Sequence, residues 1–402
     1  MSDMTLHYLK IGDLCNVSSS KRVFARQYVD DGIPFYRQKE IIDKKKGNPL
    51  EDLIYISESV YNDFKEKFGV PVNGDLLITA VGATLGIPYV VGDEKFYFKD
   101  GNLIWLSNFK KELNSQFLYY WIDSTFGTQT LWNRTIGSAQ PALTIDSIKK
   151  LSIPIPSIEI QEKIVFTLKT YDEILKINNR RIHILEQMAE NFYKEWFVRF
   201  RFPGYEYVEF EEKKPKGWKV GTEDKKHFAP ITFKYDEFGN IGSFVRGKNL
   251  TAAKMVKGDI PVISAGLRPS GYHNKANVYG VNLTISASGA NAGYLKYNMT
   301  DVWAADCSYY QDDATIWFVY NTLKYLQPVI SNLQCGAAQP HVYPKNLNKL
   351  CVLIPTDELI HKYNNFVKPY YDEIKILNQH NQLLIKQRDM LLPRLMSGKL
   401  EV

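Results

Sequence analysis

The sequence predicts an α+β protein that is built twice, with two mixed α/β domains in tandem and a long helix after each domain. Three observations support this prediction. Short motifs recur in the same order in both halves, runs of β-branched and aromatic residues alternate with turn residues, and each half ends on a long stretch with heptad periodicity. A length of 402 residues also fits two or three domains, at roughly 100–200 residues each.

The internal repeat is visible as pairs of similar segments. They are, in chain order, ITAVGATLG at 78–86 and ISASGANAG at 285–293, GSAQP at 137–141 and GAAQP at 336–340, and YDEI at 171–174 and 371–374. One such pair could arise by chance, but several in one order indicate a tandem duplication of a unit of roughly 200 residues. In each copy an apolar stretch ending at Pro156 or Pro355 predicts a short strand just before the long helix.

Composition and repeats divide the chain into five segments. We place the first α/β domain at 1–157, the first long helix at 158–202, a linker and the start of the second repeat at 203–236, the second α/β domain at 237–356, and the second long helix with a C-terminal tail at 357–402. Within the domains, residues 75–81 and 314–320 are predicted as strands, because both are short apolar runs bounded by turn residues.

The long helices are predicted from the absence of helix breakers. Neither Gly nor Pro interrupts residues 157–202, and Ser157 can cap the start of this helix. The second helix starts in the same way near Asp357 and is expected to end at Pro393, with a kink or break at Pro369. A helix of about 40 residues is about 60 Å long at about 1.5 Å per residue, which is long enough to hold two domains apart.

Both helices carry residues with the alternating spacing of a coiled coil. In the first helix these positions are Ile164, Leu168, Tyr171, Leu175, Asn178, Ile182, Leu185, Ala189, Phe192 and Trp196. In the second helix they are Tyr363, Val367, Tyr370, Ile374, Leu377, Asn381, Leu384, Arg388 and Leu391. A second apolar row in the first helix consists of Ile174, Ile177, Ile184 and Met188. This row predicts a contact with a third helix, with a partner subunit or with the chain's own domains, and together with Leu377 and Leu384 it is the candidate docking surface.

Composition and charge exclude several classes of protein. Hydrophobic residues make up 45% of the chain and charged residues 23%, which excludes a mostly disordered or low-complexity protein. No stretch approaches the roughly 20 apolar residues of a membrane-spanning helix, and the N-terminus lacks the apolar segment of a signal peptide. Four cysteines without paired spacing predict reduced thiols and a cytoplasmic protein. The net charge of +6, without a basic tail, permits nucleic acid as a partner and does not require it.

The search for catalytic and metal-binding motifs finds none. Residues 242–249 approach the phosphate-loop pattern GxxxxGK[ST], but Asn249 stands where a hydroxyl residue is needed and no helix is expected to follow. The seven histidines are far apart, and no GxGxxG opens a strand–helix unit. We therefore expect no catalytic centre, no metal site and no cofactor bound by this chain.

The globular parts do carry side chains of the kind that bind DNA. Arg and Gln reach guanine and adenine edges, and Lys neutralises phosphates. The candidate DNA-binding residues in the first copy are Lys21, Arg22, Arg37, Gln38, Lys39, Thr84, Arg134, Ser138 and Gln140. In the second copy they are Arg246, Lys248, Arg268, Ser288, Asn291, Gln339 and His341. Each alone could be an ordinary surface residue, but their recurrence in both copies favours the binding interpretation.

Several longer segments accompany the GSAQP and GAAQP motifs. They are LSIPIP at 151–156, EIQEKI at 159–164, EQMAENFYKEWFVRFRFPGYE at 186–206, PKGWKV at 215–220 and RDMLLPRLMSGKLEV at 388–402. On these segments the whole chain resembles the specificity subunit of type I restriction–modification systems. In similar proteins the stretch that follows GWKV is shorter, so the second recognition domain starts at an undefined point within residues 221–236.

The resemblance implies a non-catalytic DNA reader. Two target recognition domains would each read one half of a split, asymmetric sequence, and the two helices would pack antiparallel as a spacer with pseudo-twofold symmetry. Two modification subunits that bind S-adenosylmethionine would dock on the helices and methylate adenine N6. Restriction subunits that use ATP and Mg²⁺ could join the assembly. Two alternatives stay open on the sequence: an orphan DNA-binding regulator, and a coiled-coil adaptor that does not bind DNA.

Overall fold

The computed structural model describes residues 7–137, 141–213, 227–333 and 340–396. The chain folds into two compact units. Unit 1 comprises Met1–Ile177 and Asn381–Val402, and unit 2 comprises Asn178–His380. Each unit therefore contains one α/β domain together with parts of both long helices.

Unit 1 contains ten strands and six short helices among the described residues, and the first long helix begins in it. The strands are β1 His7–Lys10, β2 Asn16–Ser18, β3 Tyr28–Val29, β4 Ile33–Tyr36, β5 Ile54–Ile56, β6 Leu76–Thr79, β7 Pro88–Val90, β8 Tyr97–Phe98, β9 Leu103–Ser107 and β10 Ser152–Ile155. The helices are α1 Ile11–Leu14, α2 Gln38–Lys46, α3 Glu58–Phe68, α4 Ser115–Asp123, α5 Thr125–Trp132, α6 Ile145–Lys149 and the long α7 Ile158–Tyr193.

Unit 2 contains the remaining described strands, and the second long helix begins in it. The strands are β11 Phe210–Lys213, β12 His227–Pro230, β13 Lys234–Glu237, β14 Val245–Arg246, β15 Ile260–Ile263, β16 Gly271–His273, β17 Asn282–Ser286, β18 Leu295–Asn298, β19 Trp303–Ala304, β20 Cys307–Tyr310 and β21 Cys351–Ile354. The helices are α8 Ile316–Tyr325, α9 Gln327–Ser331, α10 Pro344–Asn348 and the long α11 Asp357–Met396. No helix among the described residues is both long enough and apolar enough to cross a bilayer.

The two α/β domains share one sheet topology. A four-stranded antiparallel sheet has the order β2-β9-β6-β7 in unit 1 and β14-β20-β17-β18 in unit 2. A second sheet has a parallel pair at one edge, β4 with the edge strand β8 in unit 1 and β15 with the edge strand β19 in unit 2. A two-stranded antiparallel ribbon precedes each long helix, β1 with β10 and β13 with β21. These matching sheets confirm the tandem repeat predicted from the sequence.

Burial explains why residues 76–79 form a central strand. All four residues of β6 are buried, as expected for a strand that is covered on both faces. Leu76 and Ile78 pack in the core that includes α4 and the start of α7, whereas Leu77 packs on the opposite face with Tyr36 and Phe96. The strand predicted at 75–81 is therefore confirmed.

The strand predicted at 314–320 is wrong, because this segment belongs to helix α8. Every residue of α8 from Ile316 to Leu323 is buried, so the run has no polar–apolar period that could distinguish a buried helix from a buried strand. Asn364 on α11 supports the first turn of the helix, since its Oδ1 accepts a hydrogen bond from the backbone N–H of Trp317 at 2.8 Å. This partner is 47 residues away in the sequence.

The long helices differ from the prediction at three points. The first is shorter than expected, because α7 ends at Tyr193 and a π-helical turn, Lys194–Val198, follows it. The expected break at Pro369 is wrong, since α11 is continuous across it, whereas the alternative of a kink there stays a prediction. The expected end at Pro393 is also wrong, because α11 runs on to Met396. Buried neighbours account for both results: Val367 and Tyr371 pack in the core of unit 2 on either side of Pro369, and Leu392, Leu395 and Met396 pack in the core of unit 1.

The two long helices pack against each other as an antiparallel pair. In unit 2 the hydroxyl of Tyr363 donates to the carbonyl of Ala189 at 2.8 Å, and Arg181 forms an ion pair with Glu373. The two helices therefore run in opposite directions. In unit 1 the guanidinium of Arg388 donates to the carboxylate of Asp172 at 2.7 Å, although Arg388 occupies a position where a coiled coil usually has an apolar residue.

Candidate nucleic-acid interface

The same glycine turn follows the central strand in both units. Gly82–Thr84 after β6 and Gly289–Asn291 after β17 form single 3₁₀ turns. The φ angles of the two leading glycines are +74° and +75°, a left-handed conformation that other residues adopt only with strain. A Cβ atom at either glycine would meet nothing within 4 Å. The backbone of both turns is therefore open to a ligand.

Each glycine turn is held by the segment that carries the repeated GSAQP or GAAQP motif. Gly82 donates its N–H to the carbonyl of Pro141 at 2.9 Å, and Gly289 donates to Pro340 at 3.1 Å. Ser138, Gln140 and Gln339, which the sequence analysis selected, lie outside the described residues. These hydrogen bonds explain why the two motifs, which are far apart in the sequence of each copy, recur together. The two motifs form one pair of neighbouring loops in each unit. We call them the paired loops, which are residues 82–86 with 141–143 in unit 1 and 289–293 with 340–342 in unit 2.

Gln38 and Thr84 meet at the paired loops of unit 1. Gln38 is the first residue of α2, and its Nε2 donates to the carbonyl of Val81 at 2.9 Å and to the hydroxyl oxygen of Thr84 at 2.7 Å. The Oε1 atom of Gln38 is buried, and it accepts no hydrogen bond from the described part of the chain. Arg134, which comes shortly before the 141–143 loop in the sequence, is exposed. The structure thus brings together two of the predicted residues and leaves one of them with an unused acceptor.

Arg37 is held by a carboxylate that the sequence analysis did not consider. Its guanidinium bonds the carboxylate of Glu40 through Nε at 3.1 Å and through Nη2 at 2.5 Å, while its backbone N–H bonds the same carboxylate at 2.7 Å. The Glu40 side chain is only 2% exposed, and the hydrogen bond to it raises the pKa of Arg37 above its usual value. The bidentate pair makes Arg37 a support for the start of α2, and its reading of a base stays a prediction. Its neighbour Lys39 is exposed.

Lys21 and Lys248 occupy equivalent places in the two units. Each follows the edge strand of the four-stranded sheet, β2 or β14, and each is exposed. The backbone N–H of Lys21 donates to the hydroxyl of Tyr97 at 2.9 Å, and that of Lys248 donates to the carbonyl of Ala304 at 2.8 Å. Arg22 is also exposed and pairs with Asp100 at 3.1 Å.

In unit 2 one carboxylate holds two predicted residues, and a third predicted residue is paired with one of them. Asp306 accepts hydrogen bonds from the guanidinium of Arg246 and the hydroxyl of Ser288. Ser288 forms a β-bridge with His341, whose ring stacks on that of Tyr343 at 5.8 Å between centroids. Sequence reasoning missed Asp306, because it searched only for basic, amide and hydroxyl groups.

Two further predicted residues of unit 2 lie in loops. Asn291 ends the glycine turn, at the place that Thr84 has in unit 1. Arg268 is exposed in the loop that joins β15 to β16. In unit 1 the corresponding connection, between β4 and β5, contains helix α2. The two units therefore present different side chains on a common frame.

The described residues hold no group of three or more His, Cys, Asp and Glu side chains that could bind a metal ion. Two of the cysteines are buried, and burial raises the pKa of the Cys15 and Cys307 thiols to about 12. Thiols with so high a pKa are poor nucleophiles at neutral pH.

The candidate docking surface divides into exposed and buried members. Ile174, Ile177, Ile184 and Met188 are 39%, 62%, 45% and 38% exposed. Leu377 is 6% exposed and packs in the core of unit 2, and Leu384 is half-buried. Exposed apolar residues in a row on a helix are typical of a surface that another protein covers. The four exposed residues, which we call the apolar row, are the part of the surface available to a partner.

A family model fits both copies of the repeat. The model of the type I restriction modification DNA specificity domain matches residues 5–187 and 230–386. The chain belongs to this family. The two matches fall on the two repeats described above, so this specificity subunit carries the domain twice, which confirms the resemblance seen in the sequence.

Known proteins of the same kind align over most of this specificity subunit. The MjaIX type I restriction enzyme specificity subunit of Methanocaldococcus jannaschii is 27% identical over 305 residues, which cover 72% of this chain and 69% of the relative. The HindI specificity subunit of Haemophilus influenzae is 22% identical over 337 residues, covering 65% and 71%. The crystal structure of the type I restriction–modification S subunit from M. genitalium superposes with a TM-score of 0.59 at 17% identity, over 98% of this chain and 97% of that one. The fold is shared with that subunit.

Proposed function

We propose that this specificity subunit is a non-catalytic DNA reader whose two units each read one half of a bipartite, asymmetric target. The observation that carries the proposal is the pair of equivalent glycine turns with different side chains around them. The φ angles of Gly82 and Gly289 agree within one degree, at +74° and +75°. The two turns have the same backbone conformation but different side chains around them. They would therefore present different hydrogen-bonding groups to the two half-sites, and the two half-sites would differ in sequence.

In unit 1 the reading group is Gln38 supported by Thr84. Both N–H groups of Gln38 Nε2 are already bonded, to Val81 and Thr84, so the amide would read adenine through Oε1, which can accept from the N6 amine in the major groove. Gln38 has one amide atom, Oε1, without a partner in the described part of the chain. Arg37 positions it by fixing the first turn of α2 on Glu40.

In unit 2 the reading groups are Arg246, Ser288 and His341 around Asp306. Arginine suits guanine, and serine can bond any base edge. Asp306 would orient the guanidinium of Arg246 in the way that a carboxylate fixes the planar arginine fork. Lys21 and Lys248 would contact phosphates in the two half-sites, since they are exposed at equivalent positions.

The long helices would dock two modification subunits through the apolar row. Those subunits would bind S-adenosylmethionine and methylate adenine N6, and restriction subunits that use ATP and Mg²⁺ could join them. This chain would bind none of these cofactors itself. Its part in the reaction is to place the methyltransferases over the chosen adenines, which must be flipped out of the helix before they react.

The proposed function is tested by co-expression with a neighbouring candidate methyltransferase, followed by single-molecule sequencing of host DNA for N6-methyladenine. We expect methylation confined to a bipartite motif and lost when this chain is omitted. A co-purified complex without methylation would favour the orphan regulator, and absence of any complex would favour the adaptor. Either result would contradict the proposal.

Replacement of Gln38 by alanine should relax recognition at one base pair of one half-site. The expected loss of discrimination is about 1–3 kcal/mol at that position, with the other positions unchanged. The measurement is competition binding with duplexes that differ by single base pairs, once the methylated motif is known. Gln129→Ala is the matched control, because Gln129 is exposed in the same unit and lies on α5. Equal weakening for every duplex would contradict the reading role of Gln38.

The double substitution Lys21→Gln with Lys248→Gln should weaken binding to all DNA sequences alike. Each lost phosphate contact makes the negative slope of log K against log salt shallower by about 0.9, so losing both should make it shallower by about 1.8. Titrations at several salt concentrations give this slope. Lys65→Gln, at an exposed position on α3, serves as the control for the loss of charge. A slope that does not change would show that neither lysine touches phosphate.

A further inference from the structure

Unit 1 contains a cavity of about 430 Å³ that is separate from the paired loops. It lies along β2 and β9 and is lined by, among others, Ser18, Lys21, Phe68, Asp75, Tyr97 and Trp105. Neither Gln38 nor Thr84 lines it. Its volume is within the range of roughly 300–1,000 Å³ that small-molecule sites have.

A buried carboxylate with unused capacity lines this cavity. Asp75 is 4% exposed, and its Oδ2 accepts hydrogen bonds from the backbone N–H of Val72 at 3.0 Å and the indole N–H of Trp105 at 2.8 Å. Its other oxygen, Oδ1, accepts no hydrogen bond from any residue that the structure describes. Asp75 is one of the residues that line the cavity. The cavity therefore offers an acceptor that suits a ligand with an N–H donor.

Aromatic and cationic groups stand beside that acceptor. Phe68 is 47% exposed, and Trp105 is partly exposed on β9. The ammonium nitrogen of Lys21 lies 5.5 Å from the centre of the Phe68 ring. Aromatic side chains stack on nucleobases, and lysine binds phosphate as a point charge. Together with Asp75 these groups match the three parts of a nucleotide, which are a flat ring, an N–H edge and an anion.

We propose that this cavity binds a single nucleotide, with an N–H group of its base donating to Asp75, its ring against Trp105 and Phe68, and its phosphate near Lys21. A free nucleotide and an unpaired nucleotide within DNA present the same chemistry. The proposed nucleotide site is distinct from base reading at the paired loops, because the cavity shares no described residue with them. Lys21 is common to the cavity and to the phosphate contact proposed above.

The test is isothermal titration calorimetry of the full chain, without duplex DNA, against the four deoxynucleoside monophosphates and against 2-deoxyribose 5-phosphate. At least one nucleotide should bind at least about tenfold more tightly than the sugar phosphate, because the base supplies both the stacking and the N–H donor. Equal affinity for the sugar phosphate would overturn the proposal, since the site would then recognise only an anion.

Two matched pairs of variants locate the site. Asp75→Asn should weaken nucleotide binding at least about tenfold, whereas Asp93→Asn, which removes the same charge at an exposed residue of the same unit, should not. Phe68→Ala should also weaken binding, while Phe24→Ala, at a residue that is 53% exposed and outside the cavity lining, should not. If Asp75→Asn does not fold, the Phe68 pair decides, and unchanged binding in Phe68→Ala then overturns the proposal.

A trinucleotide distinguishes the two sources. Tighter binding of the monophosphate would assign the site to a free nucleotide, and tighter binding of a single-stranded trinucleotide with the same central base would assign it to unpaired DNA. Binding of neither would overturn the proposal. None of these titrations uses the methylation target, so their failure would leave the methylation experiment unaffected.

Discussion

Glutamate at Ile177 and Met188 will abolish co-purification of the specificity subunit with the methyltransferase that we propose as its partner, and with it the proposed methylation. The two residues are 62% and 38% exposed and belong to the two different units. A partner docked on the apolar row within either unit would have to bury the charge introduced there, and an unpaired buried charge costs several kcal/mol. The isolated chain should fold normally, because glutamate is a good helix former and both sites face solvent.

The measurement for this double variant is pull-down of the co-expressed methyltransferase together with sequencing of host DNA. Val256→Glu is the matched control, because Val256 is 54% exposed but lies in a loop of the second α/β domain. Loss of the complex in this control as well would point to a general effect of charge. Retention of the complex in the double variant would show that the apolar row is not the docking surface.

Gly127→Ala will destabilise unit 1 by about 3 kcal/mol or more, which is the upper range for forcing extra volume into a packed site. A Cβ atom at Gly127 would lie 1.9 Å from the carbonyl oxygen of Trp121 and 2.9 Å from the Cα of Ile122. Both contacts are with backbone of the preceding helix α4 and its end, so no side-chain rotation can relieve them. The close approach of α4 and α5 requires glycine here.

Differential scanning calorimetry measures this effect. For a unit of this size a loss of about 3 kcal/mol corresponds to a Tm lower by roughly 6–12 °C. Gly266→Ala is the matched control, since its added Cβ would meet nothing closer than 3.5 Å and its φ is not in the left-handed region. A melting curve of Gly127→Ala that matches the control would show that α5 can move away from α4 at little cost.

The repeat made the fold predictable, because each element occurs in both copies and a weak pattern in one copy is supported by the other. The strand at 76–79 and the long helices follow from apolar pattern alone. Helix α8 does not, since a run that is buried on all sides has no period. The continuity of α11 across Pro369 depends on the buried residues that flank it, and sequence rules count only the cost of the proline itself.

The candidate interface was only partly predictable for a different reason. Gln38 and Thr84 were both selected, but their hydrogen bond joins residues 46 positions apart, which no local pattern reports. The pairing of Arg37 with Glu40 could have been predicted from the sequence, because residues three apart at the start of a helix are neighbours. The contact of Asp306 with Arg246 could not be predicted from the sequence, since the two residues are 60 positions apart and the sheet brings them together.

The division of the long helices between the units has a consequence for synthesis of the chain. Unit 2 is one uninterrupted stretch, Asn178–His380, whereas the core of unit 1 joins Ile164 and Leu168 to Leu392, Leu395 and Met396. During translation the second domain can therefore complete its core first. The first domain, although it leaves the ribosome earlier, must wait for the final turns of α11 before its last apolar residues are covered. The N-terminal half is thus the last to mature, and it is the half exposed longest to aggregation.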